Sequence, residues 1–227
     1  MRDRASAFAV ALAVTLAVVA CGGGAESNVV SQYFGALKAN DTNTLTSFAM
    51  VQFDQPVQDW KITSIGPEAK APAPLPDLVQ KQKDLEAELA KNTREARAWG
   101  NDLSVYPKLD KMREVRSKNG KLPADLQQVA DKWDGYQSKD RELKKQLADA
   151  KSAVERERRN VVLSVGNVEQ VETLKGEMIS KDINLDLTIN GEKKPYVMAL
   201  RKYELAGNTG SRMVSRWVVQ SLNPTKS

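Results

Sequence analysis

The stretch that decides the fold spans residues 125–157 and reads DLQQVADKWDGYQSKDRELKKQLADAKSAVERE. Its apolar residues recur at steps of three, four or seven, as side chains on one face of an α-helix do. These residues are Leu126, Val129, Trp133, Tyr136, Leu143, Leu147, Ala150 and Val154. Charged residues fill the positions between them, so the pattern predicts a long helix with a single apolar seam.

A second stretch with the same rhythm lies before it in the chain. Its seam residues are Leu78, Leu85, Leu89, Ala96, Trp99, Leu103 and Tyr106. Gly120 is suited to end one helix and Pro123 to stand in the first turn of the next. Residues 77–160 are therefore predicted to form an antiparallel coiled-coil hairpin, with a kink or short break at Pro107. The Pro- and Ala-rich residues 67–76 are predicted to be a semi-rigid linker into it.

Residues 1–20 have the features of a secretory signal peptide. Arg2 and Arg4 precede an Ala- and Val-rich run that is shorter than the roughly 20 residues needed to span a bilayer. The tetrapeptide Val18-Val19-Ala20-Cys21 resembles the lipobox of bacterial lipoproteins. That resemblance implies that Cys21 becomes the first mature residue and is acylated, with residues 21–27 as acylated cysteine and flexible tether. An ordinary secretory signal with a chance cysteine is the alternative.

The lipobox resemblance also implies a location. Membrane anchoring through acylated Cys21 would place the protein in the bacterial cell envelope, because several acyl chains give stable binding. Gly22 stands where an Asp would retain a lipoprotein at the inner membrane, which favours the periplasmic face of the outer membrane over the cytoplasmic membrane. Cys21 is the only cysteine, so no intrachain disulfide or thiolate metal cluster can form.

The first part of the remaining chain predicts two helices and a strand. Apolar residues at helical spacing predict a helix from Ser27 to Ala39. Asp41 or Thr42 is suited to cap a second, short helix. Alternation then predicts a strand from 57 to 65, with Trp60 on one of its faces.

After residue 160 the apolar pattern changes to a period of two, which predicts strands. These are 161–165, 168–174, 183–189 and 212–222, with a further turn at 207–210. Asn190-Gly191 predicts a two-residue hairpin loop that sets Leu185 opposite Tyr196 and Ile183 opposite Met198. Residues 28–66 and 161–224 are therefore predicted to form one discontinuous α+β domain.

Residues 30–41, VSQYFGALKAND, resemble the opening helix of small bacterial lipoproteins with an NTF2-like (cystatin-like) domain. The segments Trp60-Lys61-Ile62 and Arg216-Trp217-Val218-Val219 are similar to strands of that family. The resemblance implies an N-terminal helix on a curved antiparallel sheet, interrupted here by the helical hairpin. It also implies a cone that can hold an apolar ligand, lined by Tyr33, Phe34, Trp60 and Trp217. The alternative is that these four side chains fill the core between helix and sheet.

The composition argues against most catalytic chemistry. Histidine is absent, which removes the commonest general base and the usual zinc ligands. Asp182 and Asp186 share a strand face about 13 Å apart, beyond the roughly 5–10 Å of paired catalytic carboxylates. Glu155 and Glu157 stand among arginines and are predicted to be a charged helix end, with an anion site as the alternative. No enzymatic activity, cofactor or metal site is predicted.

The sequence favours a non-catalytic envelope lipoprotein that binds a protein partner, or a second copy of itself, through residues 77–160. Trp99, Trp133 and Tyr136 are the candidate partner contacts, because Trp and Tyr are favoured at interface hot spots; otherwise they are seam core. The alternative function is binding of a small apolar or lipid-like ligand in the cone. Nucleic acid is not a predicted partner, because the net charge of +5 comes from bases interleaved with acids.

Overall fold

The computed structural model describes residues 24–206 and 213–225, so the predicted signal peptide, Cys21 and the predicted turn at 207–210 lie outside the described residues. In chain order the elements are helices α1 (Ala25–Lys38) and α2 (Thr42–Phe48), strands β1 (Val57–Ile65) and β2 (Ala69–Pro72), helices α3 (Leu75–Gly100), α4 (Tyr106–Ser117) and α5 (Ala124–Val165), a 3₁₀ helix (Val171–Thr173), and strands β3 (Lys175–Ile189), β4 (Glu192–Ala206) and β5 (Val218–Pro224). The α+β class is as predicted. Residues 25–27, which were predicted to belong to a flexible tether, are part of α1, because that helix begins at Ala25.

The strands form one antiparallel sheet in the order β1-β3-β4-β5, with β2 also paired to β3. β1 pairs with residues 183–189 of β3, and β2 pairs with residues 177–180. Between them, the Gly66 N–H donates to the Asp182 carbonyl over 2.8 Å. The prediction of a linker over 67–76 was therefore wrong. The segment pairs because the β3 backbone would otherwise lack hydrogen-bond partners along this edge.

The hairpin between β3 and β4 has the predicted turn. Asn190 and Gly191 have φ values of 53° and 80°, as a type I′ loop requires at both central positions. Leu185 pairs with Tyr196 and Ile183 with Met198, which confirms the predicted register.

Helices α1 and α2 cover one face of the sheet and form what we call the first core. Asp41 caps α2, since its Oδ1 accepts the Thr44 N–H over 3.0 Å, which confirms that prediction. The first core combines apolar side chains from α1, α2 and alternate positions of the strands. They include Val30, Tyr33, Phe34, Leu45, Phe48, Ile183, Leu185, Leu187, Met198, Leu200, Trp217 and Val219.

A second core lies on the opposite face of the same strands. Met178 and Tyr203 pair across β3 and β4, and they point away from the first core because side chains alternate along a strand. Helices α3 and α5 cover this face. The second core includes Leu75, Val154, Val161, Val171, Leu174, Tyr203 and Leu205.

Three strand predictions after residue 160 need correction. Residues 161–165 are the end of α5 rather than a strand; Val161 is buried in the second core, and this burial outweighs the weak helix propensity of valine. In the segment 168–174 only the short 3₁₀ helix forms. The last strand begins at Val218, six residues later than the predicted start at 212.

Helix α3 runs antiparallel to α5, and α4 packs on the first turns of α5. Glu88 and Lys139 form an ion pair of 2.9 Å, and the Asn92 side chain donates to the Tyr136 carbonyl over 3.2 Å. We call α3, α4 and the part of α5 that contacts them the helical arm. α3 ends at Gly100 and α4 begins at Tyr106, so the predicted break beside Pro107 is confirmed.

Two predicted seam residues lie outside the seam. Leu103 is 93% exposed and Tyr106 is 53% exposed, because the loop of residues 101–105 interrupts the helical period. Leu109 and Met112 of α4 are buried instead, against Val129 and Ala130 of α5. The buried apolar residues of α4 therefore do not continue the heptad pattern of α3, because the loop of residues 101–105 lies between the two helices.

Candidate functional site

The helical arm contains a cleft where α3 ends, α4 begins and both face α5. We call it the arm cleft; its volume is about 390 Å³, within the size range of small binding pockets. Its lining combines aromatic and aliphatic side chains with several charged ones. The lining residues are Asn92, Thr93, Ala96, Arg97, Gly100, Asn101, Tyr106, Leu109, Arg113, Trp133, Tyr136, Gln137, Asp140 and Lys144.

Two of the three aromatic residues predicted as partner contacts line this cleft, and the third packs against one of them. Trp133 and Tyr136 line it, and the Trp99 ring lies 5.8 Å from the Tyr136 ring, centroid to centroid. All three side chains are half-buried. The Arg113 guanidinium carbon lies 5.6 Å from the Trp133 ring centroid, close enough for a cation–π interaction. The aromatics thus keep part of their surface available at a concave site.

The charged side chains of the cleft are mostly basic. Lys144 pairs with Asp140 over 2.8 Å, and Arg113 with Asp110 over 3.2 Å. Arg97 is exposed and has no ion pair within residues 24–206 and 213–225. Its guanidinium is therefore a donor group that the fold itself leaves open for a carboxylate.

The loop beside the cleft presents an apolar side chain to solvent in a fixed conformation. The Asp102 carboxylate accepts hydrogen bonds from the Ser104 N–H (2.8 Å) and the Ser104 hydroxyl (2.5 Å). These two bonds hold the pKa of Asp102 below its ordinary value. The Asp102 carbonyl accepts the N–H groups of Val105 and Tyr106. Leu103 therefore projects outward beside a charged carboxylate.

Asn92 is a cleft residue that the apolar pattern missed. It lies seven residues after Leu85 and seven before Trp99, at a seam position, and it is 3% exposed. A buried polar residue on a helical seam fixes the register of the paired helices. The heptad spacing of Asn92 was the signal that could have placed it, and Arg97 and Leu109 carried no comparable signal.

The aromatic residues predicted to line a cone lie in the first core. Tyr33, Phe34 and Trp217 are at most 5% exposed, and Phe34 stacks on Trp60 with 5.5 Å between ring centroids. The Tyr33 hydroxyl donates to the carbonyl of Val51 over 3.2 Å, and burial raises the pKa of Tyr33 to about 12. These side chains pack on one another and on the sheet.

Glu157, one of the carboxylates considered in the sequence, is buried and bonded within the fold. Glu157 is not at a helix end, because α5 continues to Val165; it is 6% exposed. Its carboxylate accepts the Tyr203 hydroxyl over 2.5 Å and a hydrogen bond from Arg201 over 3.3 Å. Burial, and then this carboxylate, raises the pKa of Tyr203 above its ordinary range.

Arg158, the residue after Glu157, is also paired within the protein. Arg158 bonds to both Glu155 and Glu172. Asp182 is exposed and Asp186 half-buried, on the sheet face opposite the first core. Within residues 24–206 and 213–225, no group of three or more Asp, Glu or Cys residues could hold a metal ion.

Comparison with known proteins gives no match to this chain among family models, curated proteins or solved structures. Among the helices that the structure describes, none combines the length and the apolar character needed to cross a membrane.

Proposed function

We propose that this chain is a non-catalytic envelope lipoprotein, anchored through acylated Cys21, that binds a protein through its helical arm. The observation that carries the proposal is the arm cleft. Trp133 and Tyr136 line it, Trp99 packs beside them, and Leu103 is exposed at its edge. Trp, Tyr and Arg are the residues that contribute most at protein interfaces.

We further propose that α1, α2, β1 and β3–β5 form an NTF2-like (cystatin-like) domain into which the arm is inserted. Its support is that β1 and β3 are neighbours in the sheet although residues 66–174 separate them in the chain. Helix α1 also packs on one sheet face, as the resemblance implied, and α2 packs beside it. The inserted segment then begins with β2 and ends with the 3₁₀ helix.

Binding of a small apolar or lipid-like ligand in the domain is the less favoured function. Its four lining candidates pack together in the first core, and three of them are at most 5% exposed. A ligand there would have to displace well-packed side chains, which costs free energy. The arm cleft requires no such displacement.

Site-specific photo-cross-linking in cells tests the proposed function. A photoreactive residue at position 103 of the full chain should give a covalent adduct with another protein chain. The same residue at Lys145, an exposed position of α5 outside the cleft lining, should give none and serves as the matched control. Absence of any adduct at 103, or equal adducts at both positions, would refute an interface at the cleft.

The anchoring step has a separate test. Mass spectrometry of the mature chain should show an N-terminal Cys21 carrying acyl groups, and Cys21→Ser should release the protein from the membrane fraction. A mature chain that begins elsewhere and carries no lipid would refute the anchor while leaving the cleft proposal intact.

A further inference from the structure

We infer that the arm cleft binds a second copy of this chain, with Leu103 of each copy seated in the cleft of the other. This inference rests on the proposed function and names the protein that the arm binds. The contact is isologous, since the same loop and the same cleft are used on both copies about a two-fold axis.

An exposed apolar side chain and a recess that is partly lined by apolar side chains lie in neighbouring parts of the arm. Leu103 is 93% exposed, and the cleft beside its loop has Leu109, Trp133 and Tyr136 among its lining residues. In a dimer with a two-fold axis, the loop of each copy can enter the cleft of the other copy, so that both clefts are filled at the same time. Seating Leu103 removes apolar surface from water on both copies.

The loop and the cleft also carry complementary charges. Asp102 directly precedes Leu103, and its carboxylate is held charged by its hydrogen bonds to Ser104. Arg97, on the rim of the cleft, has no ion pair within the described ranges 24–206 and 213–225. A leucine that enters the partner's cleft therefore brings an acid next to the open guanidinium, which binds carboxylates through two parallel hydrogen bonds.

Hydrogen bonds within the loop order it before it binds. Its backbone is tied by hydrogen bonds from Val105 and Tyr106 to the Asp102 carbonyl, of 2.9 and 2.8 Å. A pre-ordered loop loses little conformational entropy on association. One leucine and one ion pair per contact make a small interface, so the dimer is weak in solution, and confinement of anchored chains to a membrane would raise its occupancy.

Sedimentation equilibrium of the intact chain, with two complementary variants, tests the inference. Leu103→Lys places a cation opposite Arg97, and Arg97→Glu places an anion opposite Asp102. Each contact occurs twice in the dimer, and each should weaken by about tenfold, so each variant alone should dimerise about a hundredfold more weakly. Both positions are exposed, so both variants should fold normally.

Mixing the two variants distinguishes a contact between Leu103 and the arm cleft from any other kind of association. The mixed dimer has one wild-type contact and one contact in which the introduced lysine of one variant faces the introduced glutamate of the other. Association should therefore return when the variants are combined. The matched control is Arg94→Glu, an exposed charge reversal three residues earlier on α3 and outside the cleft lining, which should dimerise like wild type. A wild-type chain that stays monomeric to about 1 mM, dimers that survive in both variants, or no recovery on mixing would overturn the inference.

The two proposals fail in different ways. If the photoreactive residue at 103 captures a different protein and the chain sediments as a monomer, the arm is an interaction surface and only the identity of its occupant is wrong. If position 103 yields no adduct of any kind, the proposed function fails together with the inference.

Discussion

The hydrogen bond from Tyr203 of β4 to Glu157 of α5 can be measured against the hydrogen bond of a second buried tyrosine, Tyr33. Tyr203 and Tyr33 are both fully buried. The Tyr203 hydroxyl donates to the Glu157 carboxylate over 2.5 Å, whereas the Tyr33 hydroxyl donates to a backbone carbonyl over 3.2 Å. Replacing either tyrosine by phenylalanine removes one oxygen and leaves the ring in place.

The expected costs differ because only one acceptor is charged. Hydrogen bonds to charged groups contribute about 1.5–3 kcal/mol and neutral ones about 0.5–1.5 kcal/mol. Tyr203→Phe also leaves one Glu157 oxygen without this donor at a site that is 6% exposed. We therefore expect losses in the free energy of unfolding of about 2 kcal/mol for Tyr203→Phe and about 1 kcal/mol for Tyr33→Phe.

Urea unfolding of the intact chain, followed by circular dichroism at neutral pH, gives both values. Repeating the measurement in a Glu157→Gln background isolates the charge, and the cost of Tyr203→Phe should then fall to about 1 kcal/mol. Equal losses for the two tyrosine variants, or an unchanged cost in the Glu157→Gln background, would show that the buried carboxylate does not hold this junction.

Three further predictions concern pH and backbone conformation. The pKa of Tyr33 lies at about 12, above its ordinary 10.0, so its contribution to stability is complete below about pH 10 and lost as the pH rises towards 12; Tyr33→Phe should remove this alkaline loss in unfolding titrations. The hydrogen bond from Lys181 lowers the pKa of Glu26 below its ordinary 4.5, so its contribution is present above that pH and lost on acidification; Glu26→Gln should flatten the acid limb of the same titration. A Cβ at Gly176 would lie 2.1 Å from a backbone oxygen of β4, at a φ of 155°. Gly176→Ala should therefore lower the melting temperature strongly, whereas Gly135→Ala, in helix α5 with no neighbour within 4 Å, should raise stability by about 1 kcal/mol.

The elements that were predicted correctly are those whose conformation depends on residues close together in the chain. Asn190-Gly191 gave the turn and the register of β3 and β4, because few residues adopt two successive positive φ values. Asp41 predicted the start of α2 through its side-chain cap. The seam of α5 was readable because its apolar residues repeat over many turns.

The elements that were missed depend on residues distant in the chain. β2 consists of Ala, Lys and Pro, and only the unpaired edge of β3 makes it a strand. Val161 to Val165 favour a strand locally, but the second core holds them in α5. In the arm cleft the aromatic residues were predicted and the polar ones were not, because Asn92 and Arg97 gain their positions from the pairing of α3 with α5.

Helix α5 is continuous from the arm to the sheet, and its 42 residues span about 63 Å. Near its end the Ser164 hydroxyl accepts the Tyr203 N–H over 3.0 Å, and the Ser164 carbonyl accepts the Arg216 N–H over the same distance. If α5 rotates by one degree about its end at the sheet, its far end moves by about 1 Å. The position of the far end of α5 therefore depends on how the second core and these hydrogen bonds hold the helix against the sheet some 60 Å away, and loosening these contacts would shift that end while leaving its own packing unchanged.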